Sequence, residues 1–205
     1  INESTNTLEE YGYACGRVRE LEKSLLNKDI IHKMIEATDL EKALRVPVEN
    51  NFSEYSFENT DSHSIDRVLV NVLEKTLYLL SEALPDPYLF HLFRWKYDFH
   101  NLKVLLKAKL LGRKEPYPLY DMGNLNLEWL STAVLEGKYQ LVPIKMERFI
   151  KEIEAEYLKS ESLQLIEIAL DRNYYEILFN QLEDINHAFL FYYYKAEVDL
   201  INLNI

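Results

Sequence analysis

Apolar residues recur every three or four positions along nearly the whole chain, and the strict alternation of a half-buried strand is absent. Val18, Leu21 and Leu25 share one face, with Arg19, Glu20, Glu22 and Lys23 on the other, which predicts an amphipathic helix from Val18. A second short helical unit is predicted over 29–44. Residues 46–63, carrying Pro47, Asn50, Asn51 and Asn59, read as a long mobile loop. The next helix is predicted to begin at Ser62 or Ser64, either of which suits a cap. Asp66 is expected in its first turn, where the helix dipole favours an acid. The stripe of that helix is Ile65, Leu69, Val72, Leu73, Leu77 and Leu80.

Pro85-Asp86-Pro87 ends that helix and opens another over 88–111. Phe93, Tyr97 and Val104 lie on one side of it, and Leu92, Phe99, Leu102 and Leu106 on another. A helix apolar on more than one side belongs in the middle of a core. Residues 112–124, with Gly112, Pro116, Pro118 and Gly123, form the clearest linker. The expected division is therefore a first helical unit over 1–112, a linker over 113–124 and a second unit over 125–205. That second unit is predicted to hold short helices through 125–141, a helix opened by Pro143 with the stripe Met146, Phe149, Ile150, Ile153 and Tyr157, and helices on either side of Asp171. The fold class is all-α.

Composition supports this reading. Five glycines and six prolines in 205 residues are too few for a sandwich or barrel, and 48% hydrophobic residues suffice for a substantial core. A net charge of −11 repels phosphate backbones and anionic headgroups, which argues against nucleic acid as a partner. The single cysteine, Cys15, has no second thiol for a disulfide or zinc cluster, fits a reducing compartment and is expected to be buried and inert. The longest apolar run, 188–194, is far below the roughly 20 residues of a spanning helix. The first residues lack the basic start and apolar stretch of a secretory signal, and a start at Ile1 is expected to lie inside a longer sequence.

One pattern occurs twice. Arg94, Asp98, Asn101 and Leu102 are matched in spacing by Lys195, Asp199, Asn202 and Leu203. Upstream, Ile65-Asp66-Arg67 is answered by Leu170-Asp171-Arg172, with Asp66 preceding Asp98 by 32 residues and Asp171 preceding Asp199 by 28. Two anchors at similar spacing predict a duplicated helical unit. A base and an acid four apart on a helix are neighbours, and an asparagine three residues further lies near the same face. In a buried helix such a group is expected to bond loop backbone or an adjoining helix of its own unit, a structural role weighed above partner docking. Arg94, one turn from Asp98, favours its ionised form, so a structural ion pair is expected there.

Tyr11-Gly12-Tyr13-Ala14-Cys15-Gly16-Arg17-Val18-Arg19-Glu20, followed by the Asp-x-x-Asn-Leu-Lys of Asp98 to Lys103, resembles the C/d subunits of V-type and A-type rotary ATPases. The resemblance implies helical units repeated about a pseudo-threefold axis to form a funnel, of which this chain supplies two of three. The second copy departs from the signature, with Asn204 where the first has Lys103. The resemblance further implies a non-catalytic central-stalk connector at the cytoplasmic face of the membrane. It would link shaft subunits to the proteolipid ring and pass on torque for H⁺ or Na⁺ transport, without membrane insertion. A helical-repeat adaptor of an unrelated complex is the alternative, and an unrecognised all-α hydrolase has no motif behind it.

The chemistry of an enzyme is missing from the sequence. No G-x-x-x-x-G-K-[ST] loop is present to cradle phosphates, and no His-Glu-x-x-His or Cys-x-x-Cys pair. His32, His63, His91, His100 and His187 are scattered, so neither a metal nor a cofactor is expected. Glu152 with Glu156, and Glu183 with Asp184, read as solvated helix faces rather than acid–base couples.

Overall fold

The computed structural model describes residues 3–50, 62–112, 118–185 and 187–203, and among these no strand occurs. Contacts divide the chain into two compact units, 1–90 and 91–205.

The first unit begins with α1 (Glu3–Glu22), α2 (Lys28–Glu36), α3 (Leu40–Asn50) and α4 (Ser62–Ala83). Asn27 caps α2 by accepting the Ile30 N–H at 2.9 Å, and Asp39 accepts the Lys42 N–H at 2.9 Å at the start of α3. Packing joins α1 to α4 and α2 to α3. Several expectations are corrected here. The first helix starts well before Val18 and ends at Glu22, so Leu25 lies beyond it. The expected loop over 46–63 is helical at both ends, in α3 up to Asn50 and in α4 from Ser62, while 51–61 lie outside the described residues. Pro47 sits inside α3 and is buried, as is Leu44 one turn before it. Packing of that face against α2 outweighs the N–H that proline lacks. Asp66 falls in the second turn of α4, not the first, and is exposed. Cys15 is exposed, because it stands about 100° round α1 from buried Ala14.

The second unit takes most of α5 (Pro87–Leu110), then α6 (Leu127–Glu136), a 3₁₀ turn (Tyr139–Leu141), α7 (Ile144–Ser160), α8 (Leu163–Asp184) and α9 (Ala188–Leu203). Asn126 caps α6 through the Trp129 N–H at 2.9 Å, and Gly137 ends it in the left-handed region at φ 72°. Helix α8 runs unbroken through Asp171, where the sequence predicts two helices. The acid points outward and disturbs no packing, and no proline or glycine stands nearby to stop the helix. The core joins Leu102, Leu105 and Leu106 of α5 to Leu130 and Val134 of α6, Ile150 and Ile153 of α7, and Ile166 and Leu170 of α8. Each fully buried leucine contributes about 2 kcal/mol relative to exposure.

Around this core three lysines of α5 reach acids on other helices. Lys103 pairs with Asp171 at 2.7 Å, Lys107 with Glu167, and Lys109 with Glu154 of α7 at 2.7 Å. As the lysine advances four residues along α5 the acid on α8 retreats four, so these helices run antiparallel. Glu154 also accepts the Tyr139 hydroxyl at 2.6 Å, which ties the 3₁₀ turn to α5 and α7. Glu154→Ala is expected to cost about 1–2 kcal/mol, since it strands both partners half-buried. Chemical denaturation measures it, and an unchanged midpoint would mean that the Lys109–Tyr139 contact suffices alone.

Candidate functional site

Two polar side chains of α5, Asp98 and Asn101, are buried among the apolar ones, at 1% and 2% exposure. Such groups require partners, and both find them in backbone. Asp98 accepts the Asn124 N–H on Oδ2 at 2.8 Å and the Leu125 N–H on Oδ1 at 2.9 Å. Asn101 donates from Nδ2 to the Tyr120 carbonyl at 2.7 Å and accepts the Tyr120 N–H on Oδ1 at 2.8 Å, so it pairs with Tyr120 as a strand neighbour would. Arg94 gives its Nε–H to the Met122 carbonyl at 2.9 Å. One turn earlier His91 faces Asn124, with Nδ1 2.7 Å from the amide oxygen and its own carbonyl accepting Asn124 Nδ2 at 3.0 Å.

Residues 118–124, expected as part of a linker, and Leu125 after them are thus fastened along one face of α5 within the second unit. Tyr120 adds ring contacts, edge-on to Tyr97 at 6.3 Å and against His100 at 4.6 Å. His100 is held below the usual histidine range by burial, the proximity of Lys103 acting in the same direction. Gly123 lies where the segment comes closest, and a Cβ there would stand 2.0 Å from Asp98 Oδ1.

Burial pushes the Asp98 carboxyl up to about 6, against the opposing pull of the Leu125 and Asn124 N–H groups and of the Arg94 charge. Arg94 does favour ionisation, as its spacing implies, but desolvation outweighs it. The expected ion pair is therefore not what dominates this carboxyl. A carboxyl raised above its unfolded value of about 3.9 favours the neutral form in the fold. Its contribution to stability is complete below that value and is lost as the pH rises through about 6. The unfolding free energy of the wild type relative to Asp98→Asn should consequently decrease between pH 4 and pH 7. Urea titrations at stepped pH check this, and a flat difference would show that burial does not control the group.

The structure brings together Arg94, Asp98 and Asn101. It does not join to them the other predicted residues. Asp171 is exposed and paired with Lys103, Asp66 lies in the first unit, and Lys195, Asp199 and Asn202 are exposed along α9. The sequence pattern does not single out His91, Tyr120 or Asn124, and it marks Gly123 only as part of a linker. Among the described residues no group of acids, histidines and cysteine is placed to hold a metal ion, and no helix is long and apolar enough to cross a membrane. The arrangement around Asp98 fixes backbone. It presents no nucleophile beside a base.

The family model described as ATP synthase (C/AC39) subunit matches residues 14–205. The C subunit of the V-type sodium ATPase of Enterococcus hirae is 28% identical over 156 residues, covering 76% of this chain and 47% of that protein. The C subunit of the A-type ATP synthase of Methanocaldococcus jannaschii is 25% identical over 185 residues, covering 83% of this chain and 46% of that protein. Its counterpart in the A-type ATP synthase of Methanosarcina acetivorans is 26% identical over 206 residues, covering 94% of this chain and 57% of that protein. The chain thus spans about half the length of the curated relatives it matches. With the family match extending over all but its first 13 residues, the chain belongs to the ATP synthase (C/AC39) subunit family.

Proposed function

We propose that the chain acts as a non-catalytic connector in the central stalk of a V-type or A-type rotary ATPase, at the cytoplasmic face of the membrane. It would join shaft subunits to the proteolipid ring and transmit torque for H⁺ or Na⁺ transport. The observation that carries this reading is the family match over residues 14–205, together with relatives that are named as the C subunits of such machines. A connector needs surfaces and stiffness rather than a reactive centre. The second unit supports that requirement, because its buried polar groups are spent on fixing a non-helical segment to α5. The repeat organisation belongs to the same proposal, with one helical unit over 1–112, a linker over 113–124 and a second unit over 125–205. In this reading Asp66, Arg94, Asp98 and Asn101, and their counterparts Asp171, Lys195, Asp199 and Asn202, serve structure.

Co-expression with shaft subunits and with the proteolipid ring tests the proposal. The chain is expected to co-purify with at least one of them and to show no ATP turnover when purified alone. A folded chain that captures neither, or that turns over ATP after contaminating ATPases are removed, would overturn it.

A further inference from the structure

Helix α9 leaves large aromatic surface in water on the side that meets α8. Phe189 is 72% exposed and Tyr193 54% exposed. With Phe93 of α5, Tyr174 of α8 and Tyr194 they line a recess of about 300 Å³. Three of these rings have ring neighbours of their own. Tyr174 packs on core Phe99 at 5.6 Å, and Tyr193 stands edge-on to Tyr194 at 5.2 Å and 82°. Glu197, one turn beyond Tyr193, completes the lining. The Tyr174 and Tyr194 hydroxyls, which share this lining, are pushed upward first by burial, with the Glu197 charge among the further causes. Lys96 also borders the recess, but its ammonium lies over the neighbouring Tyr97 ring, 4.9 Å from the centroid.

Aromatic faces carry negative potential, and a carboxylate at their edge adds to it, so the recess is built for a cation rather than for an aliphatic chain. A flat guanidinium can stack on a ring while its edge bonds a carboxylate, which a compact ammonium does less well. The half-open shape suits a side chain delivered from a protein surface, and a chain of net charge −11 attracts basic partners. We propose that the α8–α9 recess is a docking site for an arginine side chain of a partner protein, held between the aromatic rings and Glu197. The site is independent of the connector reading.

The test titrates the full chain with N-acetyl-arginine amide and with its uncharged isostere N-acetyl-citrulline amide, following the ring signals of Phe189 and Tyr193 by NMR. Saturable shifts at these rings are expected, with the arginine compound at least fivefold tighter than citrulline. Glu197→Gln should remove that preference, and Lys96→Met, which deletes the competing cation, should leave binding equal or tighter. Thermal melts of both variants establish that they are folded. Equal binding of citrulline or of N-acetyl-leucine amide would overturn the proposal in favour of a plain apolar groove. Loss of binding in Lys96→Met would reverse the expected ligand charge, and shifts spread over the acidic surface would mean that no defined site exists. Because the assay needs no other ATPase component, its failure leaves the connector reading untouched, and the reverse also holds.

Discussion

Replacing Gly123 by alanine is expected to destabilise the chain by about 2–4 kcal/mol, seen as a lower urea midpoint with an unchanged denaturant slope. The added carbon would stand 2.0 Å from Asp98 Oδ1, 2.8 Å from its Cγ and 3.3 Å from its backbone nitrogen. Neither side can yield at low cost. The carboxylate is fixed by the N–H groups of the two residues that follow the glycine, and retreat of the segment would strain the Asn101–Tyr120 pairing. The penalty therefore belongs to the pair. In Asp98→Ala, which opens space, the further cost of Gly123→Ala should shrink by more than about 1 kcal/mol, a coupling that a double-mutant cycle isolates. A single Gly123→Ala change within about 0.5 kcal/mol of wild type would show that the close approach is not maintained in solution.

Asn101→Leu is expected to cost about 1–3 kcal/mol. Leucine fills similar volume but leaves the Tyr120 N–H and carbonyl without the amide that serves both, beside a side chain that is itself buried. Asp98→Ala should cost a similar amount through the Asn124 and Leu125 N–H groups. Under the structural role proposed for these residues, both variants melt early and, once stabilised by lower temperature, still enter the ATPase complex. Wild-type melting with failure to assemble would be the opposite outcome, and would make the pair a docking element.

The polar pair could be anticipated because an acid and an asparagine three apart, in a helix apolar on more than one side, have to be answered by something inside the protein. Loop backbone was among the expected partners, but which loop supplies it was hidden. Residues 118–125 carry proline, glycine and asparagine, the composition of a free linker, and only the spatial course of the chain reveals that those residues turn their N–H groups onto α5. Gly123 is needed for lack of room beside Asp98, not for a special φ, and nothing local marks that. Pro47 misled in the other direction, because the rule that proline breaks helices ignores burial of its ring beside Leu44. Helices were expected on either side of Asp171, aspartate being a poor helix former, yet α8 passes through it with no proline or glycine to stop it, and its partner Lys103 lies far along the sequence. The likeness of α5 and α9 in residue type did not extend to surroundings: Asp98 and Asn101 are enclosed, whereas Asp199 and Asn202 face outward.

The lysine–acid ladder between α5 and α8 has a consequence for sliding. Apolar contacts are less selective than charge pairs about a displacement of one helical pitch, about 5.4 Å, although Phe99 against Tyr174 also marks the alignment of this seam. Lys103–Asp171 and Lys107–Glu167 do not permit that displacement without loss. Moved by one turn, one lysine inherits its neighbour's acid and the other is left facing none. Partly exposed pairs of this kind add at most about 1 kcal/mol each to folding, so their chief effect is to act as a vernier that selects a single axial alignment of the two rods.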